Sequence, residues 1–182
     1  MKRPHHPDSK RSLHLTARPL LAALMLLAAA AMAHADDLAM PAGPVLLTLS
    51  GKLERTNREG AAVFDAAMLA ALPRHRVETS TPWTDGKKTF EGVLLADLLD
   101  LVGAQDAQTL RATALNEYEI AIPASDAAEF GVLLAMSMDG KPLSRRDKGP
   151  IWIVYPRDGI SRIQDERYDA RWVWQLSKIE VR

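Results

Sequence analysis

The chain has 182 residues, with 23 Lys+Arg against 23 Asp+Glu and no cysteine, so thiolate chemistry and disulfides are excluded, and the length fits one medium domain better than two. Five of the 23 cations (Lys2, Arg3, Lys10, Arg11, Arg18) and one of the 23 anions (Asp8) precede residue 36, leaving 18 against 22 in the remainder. A mildly acidic body without a basic run does not suit a phosphate backbone, and nucleic acid is not an expected partner.

The opening residues combine a basic start, an uncharged run from Pro19 to Ala33 and the small-x-small site Ala33-His34-Ala35 before Asp36-Asp37. This order predicts a secretory signal over residues 1–35, cleaved after Ala35. The apolar run is too short for a membrane span. The expected mature protein is periplasmic, is not inserted in the membrane, and carries no cysteine for a lipid anchor.

Residues 36–44, with Pro41, Gly43 and Pro44, read as a flexible leader, and residues 45–182 as the domain. Val45 to Ser50 reads as a buried strand stopped by Gly51. Asp65 is placed to cap a short helix from Ala66 to Leu72 that Pro73 ends. Arg74 to Thr81 looks extended, Thr84 to Lys87 has turn chemistry, and Lys88 to Glu91 returns as a strand. Val93 to Val102 has helical spacing stopped by Gly103. Thr109 to Ala114 and Tyr118 to Ile122 are extended, Pro123 to Asp126 opens a helical turn, and Val132 to Met138 is an apolar run that Asp139-Gly140 turns. Ile151 to Tyr155 is a buried strand, and Arg171 to Val181 closes the chain. Short strands interleaved with short helices predict an α+β fold with a single mixed-sheet domain.

Four of the five histidines precede residue 36, which leaves His75 alone. One His and no Cys cannot assemble the usual zinc, copper, iron–sulfur or haem ligand sets, so no metal site is expected. Ser80, His75 and Asp85 form a nucleophile set on paper, but no Gly-x-Ser-x-Gly elbow accompanies them and hydrolysis is not the expected activity.

Four stretches together resemble the sulfite oxidase-type molybdopterin-binding domain. They are Phe90-Glu91-Gly92-Val93-Leu94-Leu95-Ala96-Asp97-Leu98-Leu99; Asn116-Glu117-Tyr118 with Ile122-Pro123 and Asp126; Leu133 to Leu143; and Lys148 to Pro156 with Arg171-Trp172-Val173-Trp174. The resemblance covers nearly all of the mature chain and implies that family's fold. It also exposes departures. The cysteine that binds molybdenum in the family's enzymes aligns near Thr79-Ser80-Thr81, where this chain offers only hydroxyls, hard and weak donors. The Gly-Asn-Arg cluster that follows it is missing, and the Lys-Trp pair near the C-terminus appears as Trp174-Gln175.

The chain is therefore similar to small exported versions of the domain that lack the cysteine. Some of those bind simple pterins and report them to an inner-membrane cyclic-di-GMP enzyme or sensor kinase. The resemblance implies a non-catalytic module with no required cofactor, a pterin-like ligand, and the periplasmic region of an inner-membrane signalling protein as partner. The alternative is a molybdopterin-dependent oxidoreductase or an accessory protein of such a system, and a purely structural interaction domain is a third reading.

A pterin needs an aromatic face and a polar group to pair with its donor–acceptor edge. Thr81, Trp83 and Asp85 occupy the loop that replaces the metal-ligand segment. Trp83 and Tyr118, the latter matching a tyrosine that faces the enzymes' pocket, offer faces; Asp85, Asn116 and Glu117 offer the edge. Asp85 equally shapes a turn beside Gly86, and Asn116 and Glu117 equally form a strand connection. Trp152 and Trp174, on apolar strands, read as core. The mixed charges at Arg145 to Lys148, Arg157-Asp158 and Arg162 to Arg167 read either as a solvated face or as a partner surface.

Overall fold

The computed structural model describes residues 38–182; the signal peptide expected over residues 1–35 lies outside them. In chain order these residues form β1 (Leu47–Gly51), β2 (Ala61–Phe64), helix α1 (Ala66–Ala70), β3 (His75–Thr81), β4 (Thr84–Leu94), helix α2 (Leu95–Leu101), β5 (Thr109–Ala114) and β6 (Glu119–Pro123). Helix α3 (Ser125–Phe130), β7 (Leu133–Met138), β8 (Lys141–Pro142) and β9 (Trp152–Val154) follow, and three short 3-10 turns between Arg157 and Arg171 lead to β10 (Leu176–Val181).

The strands divide into two sheets. The first has the order β2-β1-β10-β5-β6. It is mixed, because β1 runs parallel to β10 while the β1–β2, β10–β5 and β5–β6 pairs are antiparallel. The second has β3-β4-β7-β8, with β9 also on β7, and every pair is antiparallel. The α+β expectation holds, with the mixed pairing confined to the first sheet.

Alternation sets the buried faces. In β1, Leu47 and Leu49 are buried between half-exposed neighbours, and in β5 Leu110, Ala112 and Ala114 alternate in the same way. The core joins these to Phe90, Leu98, Trp152, Tyr155 and Ile179. Two glycines are needed where backbones meet: a Cβ at Gly92 would lie 1.9 Å from the Leu134 carbonyl oxygen, and one at Gly51, whose φ is +92°, would lie 2.1 Å from that of Val181.

Several boundaries differ from the sequence expectation, each for a tertiary reason. The helix expected from Val93 starts at Leu95, because Val93 and Leu94 still pair with Leu134 and Leu133 of β7. The closing strand starts at Leu176 and not at Arg171, since Arg171 ends a 3-10 turn and Gln175 takes a left-handed φ of 54°. The expected flexible leader is held down over its described part: Ala42 and Gly43 donate to Asp65 Oδ2 at 2.8 and 2.7 Å, and Asn57 Nδ2 donates to the Ala39 carbonyl at 2.7 Å.

Candidate functional site

The hairpin between β3 and β4 turns earlier than its Asp-Gly pair suggests. Thr81 pairs with Thr84 while Ser80 pairs with Lys87, so Pro82-Trp83 is the tip and Asp85-Gly86 bulge out of the ladder. The Thr81 and Thr84 hydroxyls bond at 2.9 Å, and Trp83 N–H donates to Thr81 Oγ1 at 3.1 Å. This clamp fixes the backbone that carries Trp83.

Trp83 then packs against all three other tryptophans. Its ring centroid lies 5.4 Å from that of Trp174, 5.9 Å from Trp172 and 6.4 Å from Trp152, with interplanar angles of 81°, 59° and 61°. The Lys148 ammonium sits 5.4 Å from the Trp152 centroid and 5.6 Å from that of Trp174, within cation–π range of both.

Beside this cluster opens a cavity of about 240 Å³. Trp83 of the second sheet forms one side, and Asn116 and Tyr118, from the β5–β6 connection of the first sheet, form another. The segment leading into β10 supplies the rest through Asp169, Ala170 and Trp172 to Trp174. That segment stitches the sheets together: Ile153 N–H donates to the Val173 carbonyl, and Leu176 N–H to that of Ile151, both at 2.9 Å. Tyr118 Oη donates to the Ala170 carbonyl at 2.9 Å across the cavity, and Arg157 Nη1 holds Asp169 Oδ1 at 2.9 Å. Glu117 and Gln175, with φ of 67° and 54°, adopt the left-handed conformation on either side of it, a geometry that costs a non-glycine residue about 1–2 kcal/mol.

Of the six residues expected at the site, Trp83, Asn116 and Tyr118 line the cavity. Thr81 is buried behind Trp83, bonded as above. Asp85 and Glu117 are exposed and lie outside the wall, Asp85 in the hairpin bulge and Glu117 at a turn where it takes a left-handed φ of 67°. Trp152 is fully buried, in line with its core reading, whereas Trp174 is half-buried and lines the cavity. Asp169 and Ala170 were not legible as site residues, since they stand in a charge-rich stretch with no regular period.

The segment expected to align with the enzymes' metal ligand, Thr79 to Thr81, has its hydroxyls satisfied within the protein. Ser80 Oγ and Ser80 N–H both donate to the Asp158 carboxylate, and the Asp158 backbone N–H donates to Thr79 Oγ1 at 3.2 Å. Lys87 Nζ stands 3.5 Å from Asp158 Oδ2. The Ser80 bonds, then Lys87, hold the Asp158 carboxyl below the usual carboxylate range. With Thr81 engaged as well, all three hydroxyls have partners, and among the described residues no group of three or more His, Asp or Glu is placed to hold a metal. The residues present do not fit a thiolate-held molybdenum centre. Nor do Ser80, His75 and Asp85 form a nucleophile set: Ser80 faces Asp158, and His75 Nε2, at the far end of β3, lies 3.2 Å from Asp97 Oδ2.

Behind the cavity, Tyr155 Oη donates to Asp126 Oδ2 at 2.8 Å and Arg171 Nη1 donates to the same oxygen at 2.6 Å. Burial, then the Asp126 charge, pushes the Tyr155 phenol up, so it stays protonated. The Tyr155 ring packs 6.0 Å from that of Trp172, which makes this network a support for the cavity wall.

The fold is thus a two-sheet α+β domain with an aromatic cavity at the junction of its sheets. The description "Oxidoreductase molybdopterin binding domain" matches residues 61–181, and the chain belongs to that family, as a member without the metal-ligand cysteine. The crystal structure of the sulfane dehydrogenase SoxCD from Paracoccus pantotrophus has the same fold, with a TM-score of 0.57 and 19% identity. The alignment covers 79% of this chain but 39% of that one, so this chain spans well under half of that protein's length. Among curated proteins, none matches this chain. Among the described residues, no helix is long and apolar enough to cross a membrane.

Proposed function

We propose that this chain is a non-catalytic binding member of its family, taking a small planar heteroaromatic of the pterin kind in the cavity between its sheets. The observation that carries the reading is the wall itself: three indoles, a phenol and an amide around about 240 Å³, beside a metal-ligand segment whose hydroxyls are spent on Asp158, Ser80 and Thr84. That volume is below the roughly 300–1,000 Å³ common for drug-sized ligands and suits a bicyclic ring without a long tail.

The test is titration of the mature protein with pterin by calorimetry and by tryptophan fluorescence. The indoles in contact make quenching the expected signal, and no affinity at millimolar ligand would overturn the reading. The proposal extends to a periplasmic setting and an inner-membrane signalling partner. The exposed Arg145-Arg146 pair supports a contact surface near the cavity, since the Arg145 carbonyl accepts from Gln175 Nε2, next to Trp174, at 2.7 Å.

A second reading, an accessory protein of a molybdopterin-dependent oxidoreductase, draws on the family membership and the likeness to a dehydrogenase. These favour an oxidoreductase setting more directly than a signalling one. Molybdenum near one atom per chain in protein isolated from its native cells would replace the first reading with this one.

A further inference from the structure

The side-chain amide on the cavity wall has its acceptor engaged and its donors free. Asn116 Oδ1 accepts from Tyr118 N–H at 3.1 Å. Only the oxygen of the amide can accept, so this bond fixes which way the group faces and leaves both Nδ2 hydrogens without a protein partner among the hydrogen bonds of the site. The carbonyl of Ala170 takes the Tyr118 hydroxyl, that of Val173 takes Ile153 N–H, and one oxygen of Asp169 takes Arg157. Beneath the surface the imbalance continues. Trp172 and Trp152, 3% and 0% exposed, have indole Nε1 atoms with no hydrogen-bond partner, although buried donors are nearly always paired.

Charge decides between two kinds of guest. Indoles at steep mutual angles also describe a cage for a quaternary ammonium ion. Here, however, the Lys148 ammonium already stands over Trp152 and Trp174, and the Asp169 charge is offset by Arg157 at 2.9 Å. A second cation would be repelled by the first. A group carrying partial negative charge would be drawn in.

Resting on the binding-protein reading above, we infer that Asn116 sets the specificity of the cavity by donating from Nδ2 to a lactam carbonyl on the guest. Tyr118 fixes the orientation of that donor, and the indoles supply apolar walls around it.

Two probes of equal size test this: pterin, with a carbonyl at its 4-position, and 2,4-diaminopteridine, with an amino donor there. The wild-type protein should bind pterin at least about tenfold more tightly, the scale of one hydrogen bond replaced by a donor–donor clash. Asn116→Asp keeps the oxygen that accepts from Tyr118 N–H, and so keeps the turn, but removes both donors. It should abolish or reverse the preference. In the wild type, the Asn116 side-chain amide signals in a ¹H–¹⁵N spectrum should shift with pterin and much less with the diamino compound. Equal affinities in the wild type, an unchanged preference in the variant, or amide signals unmoved at saturating pterin would each overturn the inference and leave the binding reading standing. Absence of binding by either compound would remove both.

Discussion

Asp65 satisfies more of the backbone than any capping residue needs to. Its Oδ1 accepts from Met68 N–H at 2.9 Å as the cap of α1, while Oδ2 holds Ala42 and Gly43. The Met68 bond, then that from Gly43, lowers its pKa. The folded carboxyl therefore titrates below the unfolded value of roughly 3.9. Its contribution is complete above that value and is lost as pH falls through the folded one. Urea midpoints measured from pH 5 down to pH 2.5 should fall, and Asp65→Asn should fall less steeply, because an amide has one acceptor oxygen and no charge to lose. The capping role was legible in the sequence from Asp before Ala-Ala-Met-Leu. The grip on residues 42–43 was not, because nothing local brings them across 22 positions.

At the scale of the element, the β3–β4 hairpin is held by a cluster of hydroxyls and one carboxylate. Thr79, Ser80 and Asp158 tie its edge strand, β3, to the 3-10 turn at Arg157–Gly159. Asp158→Ala should cost about 1–3 kcal/mol, the scale for a part-buried amide and hydroxyl stripped of their acceptor. The check is a lower urea midpoint at unchanged slope together with faster exchange of the Ser80 amide. The sequence announced a hairpin here, and it announced a hydroxyl-only segment. It misplaced the tip because Asp85-Gly86 has the stronger turn chemistry, whereas the tertiary contacts of Trp83 and the Thr81–Thr84 bond move the reversal to Pro82-Trp83. The same cause hid half of the cavity wall. Trp83 has no apolar neighbour in sequence and three indole neighbours in space, and Asp158 shows its role only once a residue 78 positions away is beside it.

For the whole molecule, the core joins residues of both sheets, with Leu98, Phe90, Trp152 and Tyr155 all buried against protein. Protein produced in cells unable to make molybdopterin, or treated with a chelator, should therefore melt within about 1 °C of untreated protein, less than a single typical mutation shifts it. A clear drop by calorimetry would mean that a metal or cofactor completes the fold.

The position of β10 carries a consequence for how the chain is made. It is the middle strand of the first sheet, flanked by β1 from the start of the domain and β5 from its centre. Until residues 176–181 have left the ribosome, β1 has no partner on that side, so the first sheet closes only once its middle strand, the last of the ten to be made, is in place.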